Sequence, residues 1–182
     1  GLVSVKLSDN LISSCDAMFR DCSKLTHIEL PSSVTCVAYE MFKNCTHLTA
    51  IKIPDTVTEL GSRAFSGCKS LVSVTLPPSI TRIRFKAFAQ CTALALINIP
   101  ASVTEIEPLA FSGCIALSSI TIPTSMSSID CFSLCNLTSI VIPDSVTSIG
   151  RGAFFECKQL TSVTLPQSVS SIEELAFSTC EL

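Results

Sequence analysis

The chain has 182 residues, is 47% hydrophobic and 15% charged, and carries a formal net charge of −3. That is enough apolar material for one substantial core and far too much for a disordered segment, while the mild charge and the lack of a basic run argue against nucleic acid as a partner. No uninterrupted apolar stretch approaches the about 20 residues of a membrane-spanning helix, and the opening GLVSVKLSDN lacks the basic start and long apolar centre of a signal peptide.

Taken in order, the elements repeat. An apolar alternation over Leu2–Leu7 is followed by LTHIEL at 25–30, LTAIKI at 48–53, LVSVTL at 71–76, LALINI at 94–99, LSSITI at 117–122, LTSIVI at 137–142 and LTSVTL at 160–165. Each reads as a half-buried strand with small polar residues turned outward. Proline ends each one, at Pro31, Pro54, Pro77, Pro100, Pro123, Pro143 and Pro166, with Ser8 standing in the first copy; it has no amide hydrogen for a ladder and so suits a strand end. The next residues, such as SVTEI at 102–106, alternate again and predict a second short strand or extended turn. Segments such as PLAFSGC at 108–114 then return the chain, expected here as a short helical or 3₁₀ turn, with Gly67 and Gly113 favouring a tight bend.

The prolines are 23 residues apart except for one gap of 20, between Pro123 and Pro143. Phenylalanine keeps the same beat at Phe19, Phe42, Phe65, Phe88, Phe111, Phe132, Phe154 and Phe177, and cysteine at Cys22, Cys45, Cys68, Cys91, Cys114, Cys135, Cys157 and Cys180. A fixed period of this length signals a solenoid, because one such coil cannot bury its apolar side alone. Parallel strands about 4.8 Å apart place equivalent side chains in straight columns. One wall is then Ile28, Ile51, Val74, Ile97, Ile120, Ile140 and Val163, with the phenylalanines as a spine opposite.

With CKSLVSVTLPPSITRI and its copies laid out, the sequence resembles leucine-rich repeat proteins, and within them the BspA-like subclass, over essentially its whole length. The resemblance implies an α/β solenoid with a parallel concave β-sheet, short strands and turns and little regular helix. It also implies cell-surface or secreted adhesion proteins. The expected organisation is one solenoid over residues 1–182 of about eight 23-residue repeats, one of them shortened at 123–142, cut from a longer chain. One departure is visible. Where the common pattern places Asn or Cys after the strand, this chain has Asn10, Ser33, Thr56, Ser79, Ser102, Ser125, Ser145 and Ser168, which are able to hydrogen-bond locally.

Eight of the eleven cysteines share one repeat position, and parallel side chains do not converge as a disulfide requires. A reduced, buried thiol column is expected. Cys15, Cys36 and Cys131 lie outside it; Cys131 and Cys135 are close enough in sequence to bridge, but a zinc site would need two more ligands and no histidine is near. No metal and no cofactor are expected. His27 and His47 are the only histidines, Glu173 and Glu174 read as solvated, and no phosphate loop or His–Glu metal motif occurs, so the chain is read as non-catalytic.

The candidate binding residues are the outward strand positions His27, Glu29, Lys52, Ser73, Thr75, Asn98, Ser119, Thr121, Ser162 and Thr164, on a face that a solenoid commonly uses for docking. A protein ligand, of host or matrix origin, or a glycan is the expected partner, and an intracellular interaction scaffold is the alternative setting. Glu59, Arg82 and Glu105 alternate in charge across three coils, with Arg84 and Glu107 repeating the pairing. Asn44 and Asn136 match the N-glycosylation pattern. Neither Leu2–Leu7 nor 180–182 carries a polar cap, which predicts end-to-end self-association.

Overall fold

A computed structural model describes residues 1–10 and 15–180; Glu181 and Leu182, part of the end expected to be uncapped, lie outside the described residues. Strands form where the outward, inward, outward alternation is tightest. In chain order they are β1 (Ser4–Lys6), β2 (His27–Glu29), β3 (Cys36–Val37), β4 (Ala50–Lys52), β5 (Glu59–Leu60), β6 (Ser73–Thr75), β7 (Arg82–Ile83), β8 (Leu96–Asn98), β9 (Glu105–Ile106), β10 (Ser128–Ile129), β11 (Ser139–Val141), β12 (Ser148–Ile149), β13 (Ser162–Thr164) and β14 (Ser171–Ile172). All pairings are parallel and one coil apart, as in Val74↔Ile97 and Leu60↔Ile83, so equivalent positions of successive repeats meet. The result is a parallel-sheet β-solenoid. Three-residue strands form the first side, two-residue strands after the proline turn form the second, and the Phe–Cys segment closes the third.

The α label does not hold: no helix is present among the described residues. The third side is a run of tight turns instead. In the second coil Met41 N–H bonds Ala38 O and Cys45 N–H bonds Phe42 O, while the alternate amides of Glu40, Phe42 and Asn44 donate to Ser62, Ala64 and Ser66 in the next coil. Amides committed across coils cannot make the i to i−4 bonds of a helix. The third residue of each turn is also left-handed, at Glu40 (φ 51°) and Asn44 (φ 59°), a conformation that breaks the α region and that type II turns use. Gly67 (φ 76°) and Gly113 (φ 74°) fill this position without strain, as the sequence suggested.

Inside, the phenylalanines stack ring on ring from Phe19 to Phe177, with centroids 5.3 to 5.9 Å apart and planes within 20°. Such offset contacts are each worth about 0.5–1.5 kcal/mol beyond burial. Phe42 through Phe154 have no exposed surface. Beside them the cysteines form the second column, and each thiol from Cys45 to Cys180 donates to the carbonyl of the phenylalanine one coil back, at 3.0 to 3.2 Å.

The serine and threonine slot after the proline does not bond locally. Thr56, Ser79 and Ser168 donate to Val34, Val57 and Val146 of the preceding coil at 2.7, 2.6 and 2.8 Å, and Ser125 donates to Val103 in the same way. A hydroxyl ladder thus replaces the asparagine ladder, with the Ser33, Ser102 and Ser145 hydroxyls buried and without partners in it.

The shortened coil deletes two residues between Ile129 and Phe132 and one between Cys135 and Ile140. The first of its two left-handed turns is gone: Leu109 and Gly152 hold that position in the neighbouring coils, and among the described residues only Leu134 is left-handed between Gly113 and Gly152. Both strand ladders pause here. The first side, where β1-β2 already form a separate pair, divides here into sheets β4-β6-β8 and β11-β13, leaving Ser119 and Thr121 outside any strand, and the second into β3-β5-β7-β9 and β10-β12-β14. The turn side runs through, with Phe111 N–H on Cys131 O and Phe132 N–H on Ala153 O. The stack loosens by only a few degrees, with planes 13° and 20° apart on either side of Phe132.

Phe88→Ala removes a fully buried ring from the middle of this stack and should cost about 3–5 kcal/mol. Urea denaturation at equilibrium will read the loss, and an unchanged midpoint would contradict a stacked spine.

Candidate functional site

The strand face separates into two regions. His27, Glu29, Lys52, Ser73 and Thr75 all point outward and, with Ser32, Asp55 and Thr56, line one open depression of about 860 Å³ over β2, β4 and β6. Its floor is the aliphatic surface of Ile28, Leu30, Ile51 and Pro54. His27 and Glu29 approach to 3.7 Å and both side chains are more than half exposed. Asn98, Ser119, Thr121, Ser162 and Thr164 are exposed along the same side but do not line this depression. Leu96 and Val141 stand among them, each 68% exposed.

The second face carries the charged row. Arg82 meets Glu105 at 3.3 Å and Arg84 meets Glu107 at 2.8 Å, as the spacing suggested, but Glu59 turns to Arg84 and not to Arg82, with two contacts of 2.8 and 3.2 Å. The Glu59 and Glu107 carboxylates hold the Arg84 proton above its ordinary range. Glu107 also accepts the Phe85 amide at 2.7 Å, so the row fastens three coils together. Glu173 and Glu174 are both engaged with Arg151, the first through its backbone amide.

One buried group escaped sequence reasoning. Glu40 has a side chain only 2% exposed and lies under Arg20 (2.8 Å), Lys43 (2.8 Å) and Arg63 (3.3 Å), from three successive coils. Burial pushes its carboxyl up, but bonds from Lys43 and Tyr39 and the charges of Lys43 and Arg20 outweigh that and hold it below the usual 4.5. The cover is charged side chains, not deep core. The signal was present: a lone acid in the slot held by Ala17, Arg63, Lys86 and Leu109, with cations in the coils on both sides.

Among the described residues no two cysteines are joined in a disulfide. Burial raises the thiols of Cys45 and Cys114 to about 12 and Cys157 to about 11, too high for the thiolate that nucleophilic or metal chemistry uses. Cys131, expected to be special, fills the buried slot that Ala110 and Ala153 occupy in adjacent coils and does not bridge Cys135. Cys15 is exposed and Cys36 half-buried. Asn44 is exposed but its amide donates to Asp21 at 2.8 Å, and Asn136 is exposed just past Cys135. Among the described residues no group of His, Cys, Asp or Glu is placed to hold a metal ion, and no helix is long and apolar enough to cross a membrane.

Comparison with known proteins places this geometry. The family model described as BspA type Leucine rich repeat region (6 copies) matches residues 12–130 and 128–182. No curated protein matches the chain. Among solved structures it is similar to a leucine rich cell surface protein of Faecalibacterium prausnitzii, at 32% identity and a TM-score of 0.66, covering 98% of this chain and 57% of that one. It is also similar to the T. pallidum Leucine Rich Repeat protein, at 27% identity and a TM-score of 0.73, covering 93% and 72%. A leucine-rich repeat protein of Bacteroides ovatus, 24% identical with a TM-score of 0.65 and coverage of 98% and 64%, shares the fold. The chain spans 57% of the first of these relatives and 64% of the last.

Two measurements follow from the buried groups. A thiol reagent at neutral pH should label Cys15 first and leave the seven buried cysteines untouched until denaturant is added; native labelling of Cys68 or Cys91 would contradict the closed column. Because Glu40 titrates lower folded than unfolded, its contribution is complete above 4.5 and is lost as pH falls through the folded value. Melting temperature should therefore fall more steeply on acidification in the wild type than in Glu40→Gln, and parallel acid limbs would refute the paired carboxylate.

Proposed function

The chain belongs to the BspA-type leucine-rich repeat family, and from that membership we propose a non-catalytic scaffold, part of a cell-surface adhesion protein, that binds a protein ligand across its outward strand face. The depression over β2, β4 and β6 carries this reading. Its rim holds both signs of charge in Glu29, Asp55 and Lys52, around an apolar floor, which is the composition of a protein–protein contact. The row through Asn98, Ser119, Thr121, Ser162 and Thr164 extends the contact as a neutral, hydroxyl-rich surface. A host or matrix protein is the partner class, and a glycan is the alternative ligand. The cell-surface description of the F. prausnitzii relative supports the setting.

A second reading, an intracellular interaction scaffold, is favoured by the unbridged thiols of the cysteine column, which a reducing compartment maintains. Antibody staining of intact against permeabilised cells carrying the full-length protein separates the two.

The binding face is tested by surface plasmon resonance against a panel of matrix and host-surface proteins. Lys52→Glu, which reverses the one cation of the depression, should weaken the captured ligand at least tenfold, while Arg151→Gln should not. Equal affinity in Lys52→Glu would reject this face.

A further inference from the structure

The charges are unevenly shared along the solenoid. Residues 1–86 hold ten of the twelve lysines and arginines against seven acids, a net +3, and residues 87–182 hold two against eight, a net −6. Within the positive half, four cations gather on the turn side, away from the strand-face depression. Arg20 and Lys43 occupy the position after the phenylalanine in successive coils, and Arg63 and Lys86 the position two before it in the next two. They form a linked row: Arg20, Lys43 and Arg63 contact the Glu40 carboxylate, and Arg63 and Lys86 both lie over the Phe85 ring, at 5.6 and 5.1 Å. Among the described residues the carboxylates ion-paired with these cations are Glu40, which is buried, and Asp21, which meets Arg20 at 3.4 Å, while Glu107 accepts the Phe85 amide beside the row and is itself paired with Arg84. Four cations against two acids leave the row positive, and the cations keep accessible surface, 47% for Arg20 and 36% for Arg63.

From this we infer that the turn side of the first four coils is a binding site for a linear sulfated polysaccharide. Glu40 acts as an internal anchor: one buried carboxylate fixes three long side chains that would otherwise lose rotamer freedom on binding. The residues that carry the cations advance along the axis one coil at a time, a step close to the 5.4 Å between stacked phenylalanines, so that the row runs in the direction a linear chain with an anionic group on each sugar ring would follow. Nucleic acid is the weaker fit, since a guanidinium and an ammonium already lie over Phe85 and compete with a stacking base.

The test is isothermal titration of the protein with a heparin-derived decasaccharide, its desulfated counterpart and a single-stranded oligodeoxynucleotide of equal charge. The sulfated chain should bind, with an affinity that falls as salt rises, and the other two should bind at least tenfold more weakly. Lys86→Gln, which touches neither Glu40 nor the core, should weaken the decasaccharide several-fold. Ser66→Lys, which continues the Arg20–Lys43 column by one coil, should tighten it. Lys52→Gln on the strand face should leave it unchanged, so that loss of the protein-ligand face and loss of this site are read separately. Absence of decasaccharide binding, equal binding of the desulfated chain or the oligonucleotide, or indifference to Lys86→Gln and Ser66→Lys together would overturn the proposal.

Discussion

Stacking of identical side chains at a one-coil step is the constraint from which the rest follows. Phe42, Phe65, Phe88 and Phe111 can lie nearly parallel only if each coil returns its phenylalanine to the same place over the last. That demand sets the period and places Cys45 and its successors within reach of the preceding phenylalanine carbonyl. It also accounts for the missing helix, because a turn whose alternate amides serve the next coil has none left for its own axis. Burial supplies most of the stabilisation, and the inter-coil hydrogen bonds convert it into register.

The shortened coil shows which interactions the stack protects. Three residues are lost, both strand ladders pause, and a whole left-handed turn disappears. The ring column and the turn-side amide ladder persist. Strand pairing is the more expendable because its strands are only two or three residues long and their outward side chains make few contacts. A misplaced phenylalanine would open a cavity in a densely packed interior. Cys131, replacing alanine next to Phe132, sits where the backbone has been shortened and is buried.

The surfaces divide along different lines from the core. Interior columns are nearly invariant, whereas outward positions change from coil to coil, and the charged ones concentrate in the first half. There, acids and bases interlock diagonally: Glu59 reaches Arg84 and Glu40 collects cations from three coils. Long flexible side chains reach beyond their backbone partner, so lateral register alone does not name ion-pair partners. The later coils, with Ser119, Thr121, Ser162 and Thr164 outward, present a plain hydroxyl surface.

Periodicity by itself determined the solenoid, the parallel register, the phenylalanine spine, the reduced cysteine column and the shortened coil, because each depends only on which residue recurs after one coil. The second strands, as in Glu105–Ile106, were legible for the same reason. The turn run was not: AF followed by a small residue and cysteine suits a helical turn equally well, and the choice lies in amides that bond to another coil. The serine slot likewise named its donors but not its acceptors, which proved to be valine carbonyls of the coil below. Only the tertiary structure gathered His27, Glu29, Lys52, Ser73 and Thr75 into one depression and left Asn98 outside it, and only there did Glu40 become buried. Recurrence along the chain specifies contacts between equals, while a site is made by unlike residues brought together, and that depends on the path between coils.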